Sequence, residues 1–138
     1  NYESANDYSA VYLVEYGDFS MLMTGDAEKK AEKCIVEDAN RMAGDAGESA
    51  RFMSVNILTV GHHGSKGASS EEFLSYVKPE NALISCGAGN SYGHPHTETL
   101  QRLSGIGAKV YRTDESGEIA VRVRDGSYKI EAFKALKG

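Results

Sequence analysis

Short apolar runs mixed with alternating polar residues recur along the chain and predict a series of β-strands. Residues 9–16 and 19–24 flank the turn residues Gly17 and Asp18, which is typical of a β-hairpin. The last ~10 residues are expected to form a tail or an edge strand. Further strands are predicted at 55–60, 81–85, 108–113 and 118–124, with a turn at 114–117.

Helical spacing separates these strands. Between residues 27 and 42, apolar side chains recur every three or four positions, which predicts an amphipathic helix. Residues 44–49 have the composition of a loop. Residues 69–77 begin with hydroxyl and acidic side chains and stop before Pro79, as expected for a short helix, and a third helix is predicted over 97–103. This alternation predicts an α/β domain with a mixed sheet and helices packed on it.

The composition fits a single globular domain over residues 1–138. Hydrophobic residues make up 41% of the chain and charged residues 25%, both ordinary values. The net charge of −5 argues against a protein that binds nucleic acid mainly through its overall charge. No stretch approaches the ~20 apolar residues of a transmembrane segment. Cys34 and Cys86 are interpreted as free, packed thiols.

Polar residues that can carry chemistry lie in three loops, each directly after a predicted strand. The loops are 24–26, which contains Asp26, then 61–65 and 89–96, which together hold all four histidines of the chain. In α/β sheets, the loops at strand ends build the functional site. A carboxylate and several imidazoles are ligands that Zn²⁺, Mn²⁺ or Fe²⁺ accepts. The three loops therefore predict a metal site at one edge of the sheet.

Each of these residues also has a purely structural interpretation. Asp26 stands where an N-cap of the helix over 27–42 would stand. A single loop histidine is more often structural than a ligand, and His94 before Pro95 is compatible with shaping a turn. Asn90 and Tyr92 either make the turn or orient a ligand or phosphate. It is the repetition of the pattern in three loops that favours function.

Several runs of residues, taken together, identify a family resemblance. They are residues 6–9, 22–26, 60–65, 84–87, 89–95 and 111–114, followed by Gly117. In this order they closely resemble the C-terminal metallo-β-lactamase-like domain of the ComEC competence proteins, from Asn6 to about Val123. Members of that family are DNA-uptake channels, and their lactamase-like domain is thought to act as a nuclease on the incoming DNA. Stand-alone hydrolases with the same domain also exist.

The resemblance implies an αββα sandwich with a metal site at one edge of its two sheets. Asp26 matches the carboxylate that bridges two metal ions, Zn or Mn, and His94 matches the last histidine ligand. His62 and His63 match a pair for which three roles are open: binding metal, holding a phosphate, or donating a proton to the leaving group. The last two roles are favoured, so both histidines are expected to be catalytic.

Four further residues are expected to contact a phosphodiester substrate. Ser65 and Lys66 follow the histidine pair and offer a hydroxyl, backbone N–H groups and an ammonium to phosphate oxygens. Asn90 and Tyr92 lie in the loop before His94. In an intact domain, the chemistry implied is metal-assisted hydrolysis, in which a metal-bound hydroxide attacks the phosphate and a histidine protonates the departing oxygen.

One signature of the resembled family is absent from this sequence. The H-x-H-x-D-H motif belongs to the N-terminal half of the domain, and neither His62-His63 nor His94-x-His96 replaces it. The chain is therefore expected to be the C-terminal half of such a domain, with the N-terminal half as its natural partner. Alone, it is expected to expose an apolar face, to dimerise or swap strands, to bind metal weakly and to be inactive.

Three functions follow as hypotheses. The leading one is a metal-dependent phosphodiesterase or nuclease acting on DNA during competence-related uptake, on the extracytoplasmic side of a bacterial membrane. The second is a stand-alone hydrolase of a small phosphoester, which would be cytoplasmic. The third is a binding or structural fragment whose metal site is incomplete. Lys66, Arg102, Lys109 and Arg112 are candidates for a local basic strip on an otherwise acidic chain.

Overall fold

The structure is a computed structural model that describes residues 4–46 and 54–133. Its strands are β1 (Tyr12–Tyr16), β2 (Phe19–Met23), β3 (Ile57–Thr59), β4 (Asn81–Ile84), β5 (Lys109–Arg112), β6 (Glu118–Arg124) and β7 (Ser127–Phe133). Its helices are α1 (Lys29–Ala46), α2 (Glu71–Val77), α3 (Thr97–Gly105) and the single turn α4 (Thr113–Ser116). Two short 3-10 segments occur at Ala5–Tyr8 and Gly61–Gly64.

Five strands form a mixed sheet in the order β1-β2-β3-β4-β5. The hairpin β1–β2 is antiparallel, whereas β2, β3, β4 and β5 are parallel to their neighbours. Each parallel connection contains a helix and advances one strand in the same direction. Because such crossovers are right-handed, α1, α2 and α3 lie on the same face of the sheet. The predicted α/β class, with a mixed sheet and helices packed on it, is confirmed.

The core lies between this sheet and the three helices. Leu22, Leu58 and Ala82 share one register across β2, β3 and β4, and all three are fully buried. They pack with apolar side chains from each helix and its flanks, namely Val36, Phe73, Leu74, Val77 and Leu103. Because side chains alternate across a strand, one face of β2–β4 is closed by helices while the other faces away from them.

The opposite face is covered only in part, by the antiparallel hairpin β6–β7. Tyr128 of β7 places its ring 5.5 Å from that of Phe19 and accepts a hydrogen bond from the Asn81 side chain on its hydroxyl. Beyond this cover, β1 exposes the large apolar side chains of Tyr12, Val14 and Tyr16, and Met23 at the end of β2 is exposed as well. An exposed apolar face was predicted from the missing half of the resembled domain, and the structure contains one.

The structure corrects several predicted bounds, and the largest changes concern the first helix and the turn at 114–117. Helix α1 begins at Lys29 because residues 24–27 close a turn, with the Ala27 N–H donating to the Thr24 carbonyl. It continues to Ala46, so a loop beginning at 44 was wrong, and residues 47–49 of that loop lie outside the described part. The turn predicted at 114–117 is the helical turn α4.

At two other places the prediction is confirmed. Residues 127–133 form the strand β7, so the strand alternative is confirmed for that part of the predicted segment, and residues 134–138 lie outside the described part. The cap of α2 is Ser70, whose hydroxyl oxygen accepts from the Phe73 N–H, so the hydroxyl cap was correctly predicted.

Candidate active site

The carboxyl ends of β2, β3 and β4 lie along one edge of the sheet because these strands are parallel. The segments that follow them carry Asp26, the pair His62 and His63, and the pair His94 and His96. Adjacent imidazole rings have centroids between 4.9 and 6.3 Å apart. Residues far apart in sequence thus meet in one cluster, as the pattern of the three loops predicts.

The turn Gly61–Gly64 has an unusual backbone. His62 and His63 both adopt left-handed conformations, with φ of 46° and 55°. Each such residue costs roughly 1–2 kcal/mol relative to right-handed backbone, although histidine tolerates it better than most. The His62 N–H donates to the Gly25 carbonyl, and the Ser65 N–H to the His62 carbonyl. Strain of this kind, held by surrounding contacts, is concentrated at functional sites.

His63 is oriented by a hydrogen bond and lies next to Asp26. Its Nδ1 is 2.7 Å from the Ser85 carbonyl oxygen. Because a carbonyl only accepts, Nδ1 carries the proton, and in the neutral ring Nε2 keeps a free lone pair. That Nε2 lies 3.8 Å from Oδ1 of Asp26, and both side chains are about half exposed. An imidazole with one nitrogen anchored on a carbonyl and the other free is typical of a metal ligand or a general base.

Asp26 is not the N-cap of α1, because the helix begins three residues later, at Lys29. Its backbone N–H donates to the Ser9 hydroxyl, and Gly25 before it has a φ of +56°. A Cβ at Gly25 would lie 3.3 Å from Cβ of Ser9, so the chain here is close to the segment that precedes β1. The structural interpretation of Asp26 as a helix cap was therefore wrong, and its carboxylate is available at the site.

His94 is held by its backbone and by ring contacts. The Asn90 side chain donates from Nδ2 to the carbonyls of Gly87 and His94 and accepts the His94 N–H on Oδ1. The Tyr92 ring stacks on the His94 ring at 5.7 Å and is itself 77% exposed. Burial, and then the neighbouring imidazoles led by that of His96, lower the pKa of His94 below its usual 6.5. His94 is therefore neutral at physiological pH, the form that binds metals.

Two residues important for the cluster were given no role by sequence reasoning. Glu28 places Oε1 2.7 Å from Nδ1 of His62. The His96 ring accepts the Lys66 N–H on Nδ1 and contacts the His94 ring edge to face. Both had a signal in the sequence, since Glu28 is two residues from Asp26 and His96 two residues from His94. The sequence does not show that Glu28 contacts His62 or that His96 contacts Lys66, because each contact joins two segments that are distant along the chain.

The four expected substrate contacts occupy different positions. Ser65 is buried, its hydroxyl oxygen accepts the Gly67 N–H and its carbonyl accepts from Thr99. Lys66 lines a groove of about 500 Å³ with Lys29 and Arg102. Asn90 and Tyr92 line a pocket of about 270 Å³ that also includes His63 and His94. Only the last two therefore share a pocket with the imidazole cluster.

The basic strip proposed from the sequence does not form as a set of free cations. Arg102 donates to the backbone carbonyls of Lys66, Ala68 and Ser69. Arg112 forms a two-point ion pair with Asp114, which raises the pKa of Arg112 and lowers that of Asp114. The carboxylate of Glu115 lies 2.9 Å from the same guanidinium. Two of the four basic residues are thus engaged within the protein.

The cluster provides only part of the ligand set that a metal ion needs. Within residues 4–46 and 54–133, no group of three or more His, Cys, Asp or Glu side chains is arranged to hold a metal ion by itself. A cavity of about 500 Å³ lies beside Asp26 and His63 and continues over the apolar residues Tyr12, Met23, Leu83 and Ile119.

Among the helices that the structure describes, none is long and apolar enough to cross a membrane.

Comparison with curated proteins gives clear relatives. The chain is 38% identical over 122 residues to ComE operon protein 3 of Bacillus subtilis, which covers 88% of the chain and 14% of that protein. It is 37% identical over 116 residues to Recombination protein 2 of Haemophilus influenzae, covering 84% of the chain and 13% of that protein. It is 33% identical over 132 residues to Competence protein ComA of Neisseria gonorrhoeae, covering 96% and 18%.

The other two comparisons found nothing: no family model matches the chain, and no solved structure matches it. Each of the three alignments includes most of the chain. The chain spans less than a fifth of the length of each relative. The chain therefore belongs to the ComEC family of competence proteins and corresponds to one segment of its longer members.

Proposed function

We propose that this chain is part of a metal-dependent phosphodiesterase that cleaves DNA during competence-related DNA uptake. The observation that carries the proposal is the cluster itself, in which Asp26, His62, His63 and His94 meet at the carboxyl edge of a parallel sheet. The similarity to proteins named for competence supports the biological context. The fold we propose is the metallo-β-lactamase-like αββα sandwich, of which the chain supplies the C-terminal portion.

The residues of the cluster fit a Zn or Mn ion, as one part of its ligand set. Asp26 offers a carboxylate and His94 an imidazole, which are ligand types that both metals accept. For His63, which the sequence favoured as a catalytic residue, we propose a ligand role instead. His63 has the anchored Nδ1 that orients a metal-ligating ring. We propose that the other ligands come from a preceding segment of the parent protein. A bound ion would acidify a water molecule and polarise the scissile phosphate.

The remaining residues act on the substrate in this proposal. In its doubly protonated form, His62 donates the Nε2 proton to the departing oxygen and is left as the neutral Nδ1–H ring, because its Nδ1 is engaged by Glu28. Tyr92 and Lys66 are exposed and are proposed to contact the DNA directly. Asn90 and Ser65 stay predicted substrate contacts, although both side chains already make hydrogen bonds within the protein. The proposed location is the extracytoplasmic side of a bacterial membrane.

The first test is metal content after dialysis against trace Zn²⁺ and Mn²⁺, followed by elemental analysis. Because the ligand set is partial, we expect the chain to retain a small amount of metal, and the variants Asp26→Ala and His94→Ala to lose it. Asp125→Ala is the control, because this exposed carboxylate lies in the β6–β7 turn and pairs with the neighbouring Arg124. Equal metal in all four proteins would show that the cluster is not the metal site.

The second test is DNA hydrolysis by a longer protein in which the chain follows its native preceding segment. With Mn²⁺ or Zn²⁺ added, we expect Asp26→Ala to reduce the rate by at least the roughly 10- to 100-fold that even indirect metal-site changes cause. The Asp125→Ala variant should cleave DNA at the wild-type rate. Cleavage unaffected by Asp26→Ala would contradict the proposed function.

A further inference from the structure

The orientation of His62 depends on a residue outside the histidine loops. Nδ1 of His62 is 2.7 Å from Oε1 of Glu28 and 3.4 Å from Nδ2 of Asn6. The shorter contact determines the proton position, because an ionised carboxylate only accepts hydrogen bonds. Nδ1 therefore carries the hydrogen, and in the neutral ring Nε2 keeps its lone pair.

Glu28 is itself held in place. It directly precedes α1, and its carbonyl accepts the Glu32 N–H in the first turn of that helix. The adjacent Lys29 N–H donates to the Gly67 carbonyl at 2.9 Å. A Cβ at Gly67 would lie only 3.2 Å from Oε1 of Glu28, so the carboxylate lies against bare backbone at that point. The Glu28 and His62 side chains are 32% and 28% exposed, which limits competition from water.

Residues 66–70, which include the Gly67 backbone next to Glu28, are held by side chains from two helices. The Arg102 guanidinium from α3 and the buried Glu32 carboxylate from α1 both bind their backbone. Arg102 donates to the carbonyls of Lys66, Ala68 and Ser69, and Glu32 accepts the N–H groups of Ser69 and Ser70. Two helices thus fix the surface on which the Glu28 carboxylate rests.

We propose that Glu28 is a positioning residue that holds His62 in the Nδ1–H tautomer. It thereby divides the adjacent histidines: His63 is oriented by the fixed carbonyl of Ser85, and His62 by a carboxylate. A carboxylate acceptor on Nδ1 fixes the orientation of the ring and leaves Nε2 to face the site. The catalytic meaning of this division rests on the proposed function, whereas the tautomer itself does not.

The test is a two-bond ¹H–¹⁵N correlation spectrum of the ¹⁵N-labelled chain, recorded near pH 8, where neutral imidazole is expected. We expect His62 to show the Nδ1–H pattern in the wild type and in Glu28→Gln, whose amide oxygen still accepts. In Glu28→Ala we expect that pattern to be lost. His63 should keep its own Nδ1–H pattern throughout, because its acceptor is the Ser85 backbone.

The control variant is Glu37→Ala, which removes an exposed carboxylate on α1 that pairs with Lys33. It should leave both histidine signals unchanged. An Nε2–H pattern for His62 in the wild type would overturn the proposal. This result needs no variant, so the proposal can be tested even if Glu28→Ala does not fold. An unchanged His62 pattern in folded Glu28→Ala would also overturn it.

An activity measurement separates this proposal from the proposed function. In the longer protein, we expect Glu28→Ala to lower kcat by about 10- to 100-fold with little change in KM, and Glu28→Gln to lower it less. If DNA hydrolysis is absent altogether while the His62 tautomer depends on Glu28, the positioning role stands and the function fails. If hydrolysis depends on Asp26 but not on Glu28, the function stands and the positioning role fails.

Discussion

The two loops that supply the histidines are built in opposite ways. The turn Gly61–Gly64 after β3 is short, has a strained backbone, and anchors both imidazoles through Nδ1 on groups from other segments. The loop between β4 and α3 holds His94 through its backbone, by the Asn90 side chain, and through stacking with Tyr92. The first turn fixes both of its rings by hydrogen bonds. The second loop fixes the ring of His96 in this way, but at His94 it fixes the backbone, and the described residues place no hydrogen-bond partner on the His94 ring nitrogens.

This difference shows how a site can combine definite and adaptable groups. A ring with an anchored Nδ1 has one tautomer and presents Nε2 only, which suits a residue with a single chemical task. A ring positioned by its backbone can present either nitrogen to an incoming ion. The two loops are nevertheless joined, because the His96 N–H donates to the Gly64 carbonyl and the Lys66 N–H to the His96 ring.

The largest expected effect comes from forcing the two loops apart. Gly64 has a φ of +81°, and a Cβ there would lie 2.6 Å from Cβ of Pro95. We expect Gly64→Ala to lower the free energy of unfolding by about 2–4 kcal/mol, through left-handed strain and overpacking together. Gly89→Ala is the control, because φ is +66° but a Cβ would meet nothing within 4 Å. Urea unfolding measures both, and equal losses would show that the loop contact is unimportant.

A smaller effect is expected when the backbone support of His94 is removed. Asn90→Ala abolishes three hydrogen bonds in a partly exposed loop, and we expect a loss of about 1–2 kcal/mol in the free energy of unfolding. Amide exchange at His94 should accelerate at the same time, since its N–H loses the Oδ1 acceptor. Asn40→Ala on the exposed face of α1 is the control. Unchanged exchange at His94 would remove the contrast between the loops.

The smallest effect is a pH dependence specific to His94. Its folded-state pKa is lowered, so below about pH 6.5 the unfolded chain binds more protons at this residue than the folded chain does. Stability should therefore fall as the pH falls from 6.5 through the folded-state pKa, and should be unaffected above that window. Urea unfolding of the wild type and of His94→Gln over this range checks it. The wild type should lose more stability on acidification than the variant.

Much of the fold was predictable because it depends on local patterns. The alternation of strand and helix, the amphipathic spacing of α1, and the hydroxyl cap of α2 follow from neighbouring residues alone. The same holds for the concentration of Asp26, His62, His63 and His94 in three loops after strands. The parallel order of the strands then places those loops at one edge, since each helical crossover returns the chain in the same direction.

The boundaries and the pairings could not be predicted in this way. The tight turn at 24–27 delays the start of α1 to Lys29, and it depends on a hydrogen bond of the Asp26 N–H to Ser9, far away in sequence. The alternation of residues 118–124 predicted β6. The position of its neighbour β7 depends on Tyr128, whose hydroxyl accepts a hydrogen bond from Asn81 and donates one to Glu80, and the sequence does not show these contacts.

The sequence by itself determined which chemical groups are present and which strand ends they follow. Only the tertiary structure decided which nitrogen is free in three of the four histidines, because that depends on partners from other segments: Glu28 for His62, the Ser85 carbonyl for His63, and the Lys66 N–H for His96. The physical reason is that a side chain's residue type is a local property, whereas its tautomer and orientation are set by hydrogen bonds across the fold.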